Sequence, residues 1–223
     1  LILNSPHNPT GWCLQTEDLS ALVDLSRRHS FLILSDEVYE HMVFDGQNHL
    51  SLCSQPELAA RTMVVSSFGK TYHVTGWKVA YCVGPHWWMQ EFRKVHQFNV
   101  FSVNTPMQSG LAAILSQPHH YLNLPQFYQA KRDLFRAGLA EQGWRLLPCP
   151  STYFQTVDYS NFSNQPDGAF CEWLIEQMGV AAIPMSAFYS QPIQQGLIRF
   201  CFAKQDTTLL AALDRLAQIR SVQ

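Results

Sequence analysis

Apolar and polar positions run along this chain in blocks whose period changes. Leu1-Ile2-Leu3 is a short apolar run expected to be a buried strand, and it breaks off at Asn4-Ser5-Pro6-His7-Asn8-Pro9-Thr10-Gly11, where two prolines and a closing glycine exclude regular structure. From Thr16 the apolar positions Leu19, Leu22 and Val23 fall on one helical face. Thr16 offers an N-cap, Glu17 and Asp18 suit the positive end of the helix dipole, and Arg27-Arg28-His29 marks the stop. Phe31-Leu32-Ile33-Leu34 follows as a second buried strand. Residues 1–35 therefore read as strand, helix, strand with a right-handed parallel crossover, which places the chain in the α/β class.

The pattern continues through a polar loop to about Glu57 and then a β-branched run, Thr62-Met63-Val64-Val65, expected as a third strand. Residues 78–83 form the next. Too few residues separate these two for a helical crossover, so the fourth strand is expected to run antiparallel to the third. Residues 87–96 read as a helix. Thr105-Pro106-Met107-Gln108 opens another, as a capping box with proline at N1, reaching Ser116. Residues 118–125, with His119-His120 as a polar link, are the candidate boundary, dividing the chain into 1–118 and 119–223. The second part is expected to be a smaller α+β domain. It reads as a long amphipathic helix at 125–142 stopped by Gly143, strands at 145–147 and 152–157, a helix at 167–178 closed by Gly179, a strand at 197–202, and a last helix capped by Asp206.

Composition narrows the function classes. The chain has 223 residues, 47% hydrophobic and 14% charged, with formal net charge -2, so it can bury a sizeable core and carries no basic footprint for nucleic acid. Six scattered cysteines without a C-x-x-C spacing suggest reduced thiols in a cytoplasmic protein, and nine histidines show no metal spacing. No signal peptide or long apolar run argues for secretion or a membrane. The chain opens without methionine, inside an apolar run, and reads as the carboxyl-terminal part of a longer protein.

If the first three strands are parallel, their following loops reach one edge of the sheet, where open α/β sheets bind ligands. That edge receives Asn8, Asp36, Tyr39, Ser67 and Lys70, and the antiparallel strand adds Lys78. A neutral lysine amine condenses with an aldehyde, and burial or a second cation such as Lys78 favours that form. Taken singly, each residue has a plainer reading: Asn8-Pro9 a turn, Asp36-Glu37 a solvated strand end, Tyr39 a core aromatic, Ser67 a cap, Lys70 a surface lysine. Their order and spacing together point to a site.

In these motifs the sequence resembles the pyridoxal-phosphate (PLP) aminotransferases of fold type I, class I and II. The carriers are Asn8-Pro9-Thr10-Gly11, Ser35-Asp36-Glu37-Val38-Tyr39, Ser67-Phe68-Gly69-Lys70 with Gly76-Trp77-Lys78, and Ile198-Arg199-Phe200. Gly76-Trp77-Lys78-Val79 and Thr152-Tyr153-Phe154 are most similar to the branch of methionine, kynurenine and glutamine transaminases. The resemblance implies a mostly parallel sheet with flanking helices, of which 1–118 would be the later part of the PLP-binding domain. It implies Lys70 as the Schiff-base lysine and general acid/base, Asp36 at the pyridine nitrogen, Tyr39 and Asn8 at the ring O3′, and Ser67 and Lys78 at the phosphate. Arg199 would grip the substrate α-carboxylate, with Tyr153 near the substrate side chain. It further implies amino acid and 2-oxo acid substrates, methionine or aromatic donors being favoured, and a homodimer to which the loop around Asn104 could contribute. Many class I members carry arginine at the Lys78 position, and the family's phosphate loop, ring-stacking aromatic and substrate-covering segment precede the Asn8 motif and are outside this sequence. A carbon–sulfur β-lyase on the same cofactor and the sensor domain of a transcription regulator are the alternatives.

Overall fold

The computed structural model describes residues 1–191 and 193–219. The chain forms two compact units, one made of 1–7 with 13–125 and the other of 8–12 with the residues from Gln126 onward.

The first unit is built on a four-stranded sheet of β1 (Ile2–Asn4), β2 (Ile33–Asp36), β3 (Thr62–Ser67) and β4 (Ala80–Val83), in that spatial order. β1, β2 and β3 pair in parallel, with Asn4 opposite Asp36 and Asp36 opposite Val65, and β4 runs antiparallel to β3, as the short connection requires. Helix α1 (Thr16–Arg28) connects β1 to β2. Leu19 joins Leu14, Ile33, Leu52 and Leu58 in a buried cluster, with Leu22 and Val23 packed against it. Burying a leucine or isoleucine of this kind stabilises the fold by roughly 1.5–3 kcal/mol. The first unit also contains α2 (Pro56–Ala59), the one-turn α3 (Phe68–Thr71), α4 (His86–Asn99), α5 (Thr105–Leu115) and α6 (His119–Leu122).

Several local expectations are corrected. The residue capping α1 is Gln15, whose backbone N–H donates to Asp18 Oδ2 at 2.9 Å, and Thr16 is already helical. Asn104 caps α5, its Oδ1 accepting from Met107 N at 3.1 Å, so Thr105 is helical as well. His119-His120 lies within a helical turn rather than a polar link. β4 starts at Ala80, because Lys78 has φ 56°, a left-handed conformation that no strand accommodates. β1 stands at one end of the sheet's strand order, where Ile2 is 76% exposed.

The second unit carries an antiparallel sheet of β5 (Arg145–Leu146), β6 (Phe154–Asp158), β7 (Ile183–Pro184) and β8 (Leu197–Cys201), ordered β5-β6-β8-β7. Helix α7 (Leu124–Glu141) leads into it. Helix α8 (Asp167–Trp173) runs on as a wider π turn to Met178, and Gly179 stops it at φ 62°. Helix α9 (Asp206–Leu216) follows, preceded by Gln205; Asp206 is its first residue and ion-pairs with Lys131 at 2.7 Å instead of capping. Phe200 sits at the centre of this core, edge-on to both Phe135 and Trp144 at 5.7 and 5.6 Å between ring centroids.

Candidate active site

The parallel strands bring their carboxyl ends together, and the chemistry collects there. Along β2 and its exit, side chains alternate between the two faces. Leu34, Asp36 and Val38 line a cleft of about 500 Å³, whereas Ser35 and Glu37 turn to the buried side. The Asp36 carboxylate is fixed by Val38 N–H, which donates to Oδ1 at 3.2 Å. Its backbone carbonyl takes the Asn4 side-chain amide at 3.0 Å and Ser5 N–H at 3.1 Å.

β3 ends at Ser67, whose hydroxyl accepts from Gly69 N–H at 3.0 Å and so caps α3, the single turn that carries Lys70. The turn is pinned behind by Val74 N–H and the Thr75 hydroxyl, both donating to Gly69 O at 3.0 and 3.2 Å. Lys70 is half-buried, and its amine has no hydrogen-bond or ion-pair partner among the described residues. Lys78 is exposed and borders the same cleft through the left-handed turn before β4. Asp36, Ser67, Lys70 and Lys78 thus share one cleft with apolar walls from Val65, Val79 and Ala80. Tyr39 belongs to the same unit but is 1% exposed, its ring inside the fold.

Asn8, Tyr153 and Arg199 lie in the second unit. Arg199, on β8, donates from Nη1 to Asn8 Oδ1 at 2.5 Å. Its guanidinium carbon lies 4.0 Å from the Phe154 ring centroid and 5.2 Å from that of Phe188, a cation held between two aromatic rings. Tyr153 is half-buried, 5.6 Å from Tyr128 and 4.6 Å from Phe154 between centroids. Phe188 is absent from the residues singled out in the sequence. It sits in a 3₁₀ turn over Met185–Phe188, where no hydrophobic period marks it.

Behind the cleft lies a second group that sequence reasoning passed over. Glu40 Oε1 accepts from Ser66 Oγ at 2.8 Å and from Tyr81 OH at 2.5 Å. Burial, reinforced by the bond to Glu40, pushes the Tyr81 phenol up to about 12. Strand alternation at Ser66 and the acidic residue closing the Asp36–Tyr39 motif were the available signals.

Comparison with known proteins places this geometry. The family model for aminotransferase class I and II matches residues 1–216. The methionine aminotransferase of Escherichia coli strain K12 is 51% identical over 220 residues, covering 98% of this chain and 57% of that protein. Kynurenine–oxoglutarate transaminase 1 of Rattus norvegicus is 36% identical over 245 residues, covering all of this chain and 58% of its own length. Among solved structures, an Escherichia coli protein with a methionine aminotransferase function superposes with a TM-score of 0.94 at 52% identity, over 97% of this chain and 57% of that one. N-succinyldiaminopimelate aminotransferase from Mycobacterium tuberculosis does so with a TM-score of 0.91 at 36% identity, over 98% and 58%. The chain therefore spans a little over half the length of these relatives, and over that span it belongs to the class I and II aminotransferases.

Proposed function

We propose that the complete protein is a pyridoxal-phosphate-dependent aminotransferase, moving the amino group of methionine or an aromatic amino acid to a 2-oxo acid. The observation that carries this reading is the shared cleft of Asp36, Ser67, Lys70 and Lys78. Its size and donor set fit the cofactor: a primary amine for an aldehyde, a carboxylate for a pyridinium nitrogen, a hydroxyl and an ammonium for a phosphate, and apolar walls for a ring. When bound, pyridoxal phosphate supplies an electron sink for negative charge at the substrate Cα.

The chain's own residues do the rest. Lys70 Nζ would hold the cofactor's aldehyde group and would be the base for the proton on the amino donor's Cα. Asp36, its carboxylate oriented by Val38 N–H, would face the ring nitrogen and favour its protonated form. Ser67 and Lys78 hold the phosphate, Lys78 as a point charge rather than a guanidinium fork. Tyr39 and Asn8 would be the hydrogen-bond partners of the ring hydroxyl. Arg199 takes the α-carboxylate bidentately, aimed by Asn8 Oδ1 and the two phenyl rings. Phe154, Phe188 and Tyr153 give this neighbourhood the apolar character that a thioether or ring suits. We further propose a cytoplasmic homodimer, in keeping with six free thiols and with the exposed apolar side chains Trp87, Val95 and Phe98 on α4.

The test is Lys70→Ala in the complete protein. Turnover and the borohydride-reducible cofactor adduct should both vanish. A reducible adduct retained on another lysine would refute the assignment.

A further inference from the structure

The reaction as assigned leaves Glu40 without a part, yet Glu40 occupies a singular position. One of its carboxylate oxygens accepts hydrogen bonds from Ser66 Oγ at 2.8 Å and from Tyr81 OH at 2.5 Å. Ser66 and Tyr81 are direct partners in the β3–β4 register. A single oxygen therefore ties three segments: the exit of β2, which carries Asp36; the end of β3, which carries Ser67 and leads into Lys70; and the start of β4, which follows Lys78.

Packing alone does not hold these segments apart at a fixed distance. A second cavity of about 410 Å³ lies on the Glu40 side, bordered by His41, Phe68, Thr71 and Tyr81, and Ser67 lines both this cavity and the cleft. The backbone ladder fixes the strands as far as Asp36–Val65 and Ser67–Ala80, and beyond it the segments border open volume, where directional side-chain bonds add to their placement. Glu40 supplies those bonds. Tyr81 is a donor throughout the neutral range, as any phenol is, and burial first and Glu40 next push it higher still, to about 12.

We propose that Glu40 is a positioning residue for the cleft, fixing the mutual placement of Asp36, Lys70 and Lys78 through Ser66 and Tyr81. The proposal rests on the pyridoxal-phosphate reading of that cleft. Glu40 does not line the cleft, so its loss acts through the residues it holds.

The experiment titrates the complete wild-type protein, Glu40→Ala, Glu40→Gln and Tyr81→Phe with pyridoxal phosphate. It records the dissociation constant, the absorption band of the bound cofactor, and the Tm of the cofactor-free protein. Glu40→Ala should bind about tenfold more weakly and Tyr81→Phe about threefold, both with a displaced band. Glu40→Gln should stay close to wild type, since its carboxamide oxygen still accepts both bonds. Tyr81→Phe keeps the ring and deletes only a hydroxyl, so it decides the matter should Glu40→Ala fail to fold. Unchanged affinity and band in Tyr81→Phe and in folded Glu40→Ala, with only the Tm lowered, would overturn the proposal and leave Glu40 a brace of the fold. Wild-type protein that takes up no pyridoxal phosphate would overturn the reading of the cleft and this inference together, whereas wild-type binding with unaltered variants overturns the inference alone.

Discussion

Two adjacent carboxylates, Asp36 and Glu37, have opposite surroundings. Asp36 borders the cleft, whereas Glu37 is 2% exposed, accepts from Ser35 Oγ at 2.9 Å and from Leu52 N–H at 3.3 Å, and lies 2.8 Å from His49 Nε2. Burial pushes the Glu37 carboxyl up, but the hydrogen bond and charge of His49, with Ser51 and Ser35, outweigh it and hold the group below its ordinary value. A carboxyl depressed in the folded state binds its proton more readily when unfolded. Its contribution to stability is complete above the ordinary value of 4.5 and is lost as pH falls through the lower folded value. Glu37→Gln should therefore lower stability at neutral pH by about 1–3 kcal/mol, the scale of a lost charge-assisted hydrogen bond to His49, and should flatten the acid limb of a Tm-versus-pH curve followed by calorimetry. An acid limb as steep in the variant as in wild type would exclude Glu37 as its source. The division of labour between these carboxylates was legible in the sequence, because strand alternation from Ile33 sets Glu37 with Ser35 and Asp36 with Leu34. The Arg199 surroundings were less so: Phe188 approaches from a turn, and turns carry no period.

At the scale of elements, the single turn α3 is held by contacts rather than by its own length, since four residues cannot sustain a helix unaided. Gly69 is the tight point. A Cβ there would lie 3.0 Å from Thr75 Cα and 3.1 Å from Ser67 Oγ, so the backbone of the following loop would have to move. Gly69→Ala should destabilise the protein by about 1–3 kcal/mol and weaken cofactor uptake by displacing both Ser67 and Lys70, measurable as a lower Tm and a higher dissociation constant. Wild-type values for both would show that the loop yields without consequence. The parallel and antiparallel order of the first sheet could be read from connection lengths, which constrain topology directly. The cap of α1 could not, because Gln15 is a poorer N-cap by residue type than Thr16, whereas Asn104 outranks Thr105 and its place before α5 could be read. Lys78 likewise takes its left-handed φ from the turn it completes, not from lysine's preference.

For the whole molecule, the substrate is the decisive observable. On the proposed reading one guanidinium, Arg199, would answer for one substrate carboxylate, and the rings of Phe154 and Phe188 lie 4.0 and 5.2 Å from it. A second substrate carboxylate would need a partner of its own to offset desolvation. Methionine and phenylalanine should therefore exceed aspartate in kcat/KM by about tenfold or more with a common 2-oxo acid acceptor, and a clear preference for aspartate would refute the argument. The second unit has a further property that follows from its composition. Residues 8–12 belong to it although the chain returns to it only at Gln126. The hydroxyl of buried Ser151 donates to Gly11 O at 2.6 Å across 140 positions of sequence, and Arg199 reaches Asn8 across 191. Contacts of such span close late, because the loop entropy of the intervening chain must first be overcome. Residues 8–12 are made first but find these partners only once the chain past Arg199 exists, and a fragment cut at Gln126 would lack both the Gly11 carbonyl that accepts from Ser151 and the Asn8 side-chain oxygen that accepts from Arg199.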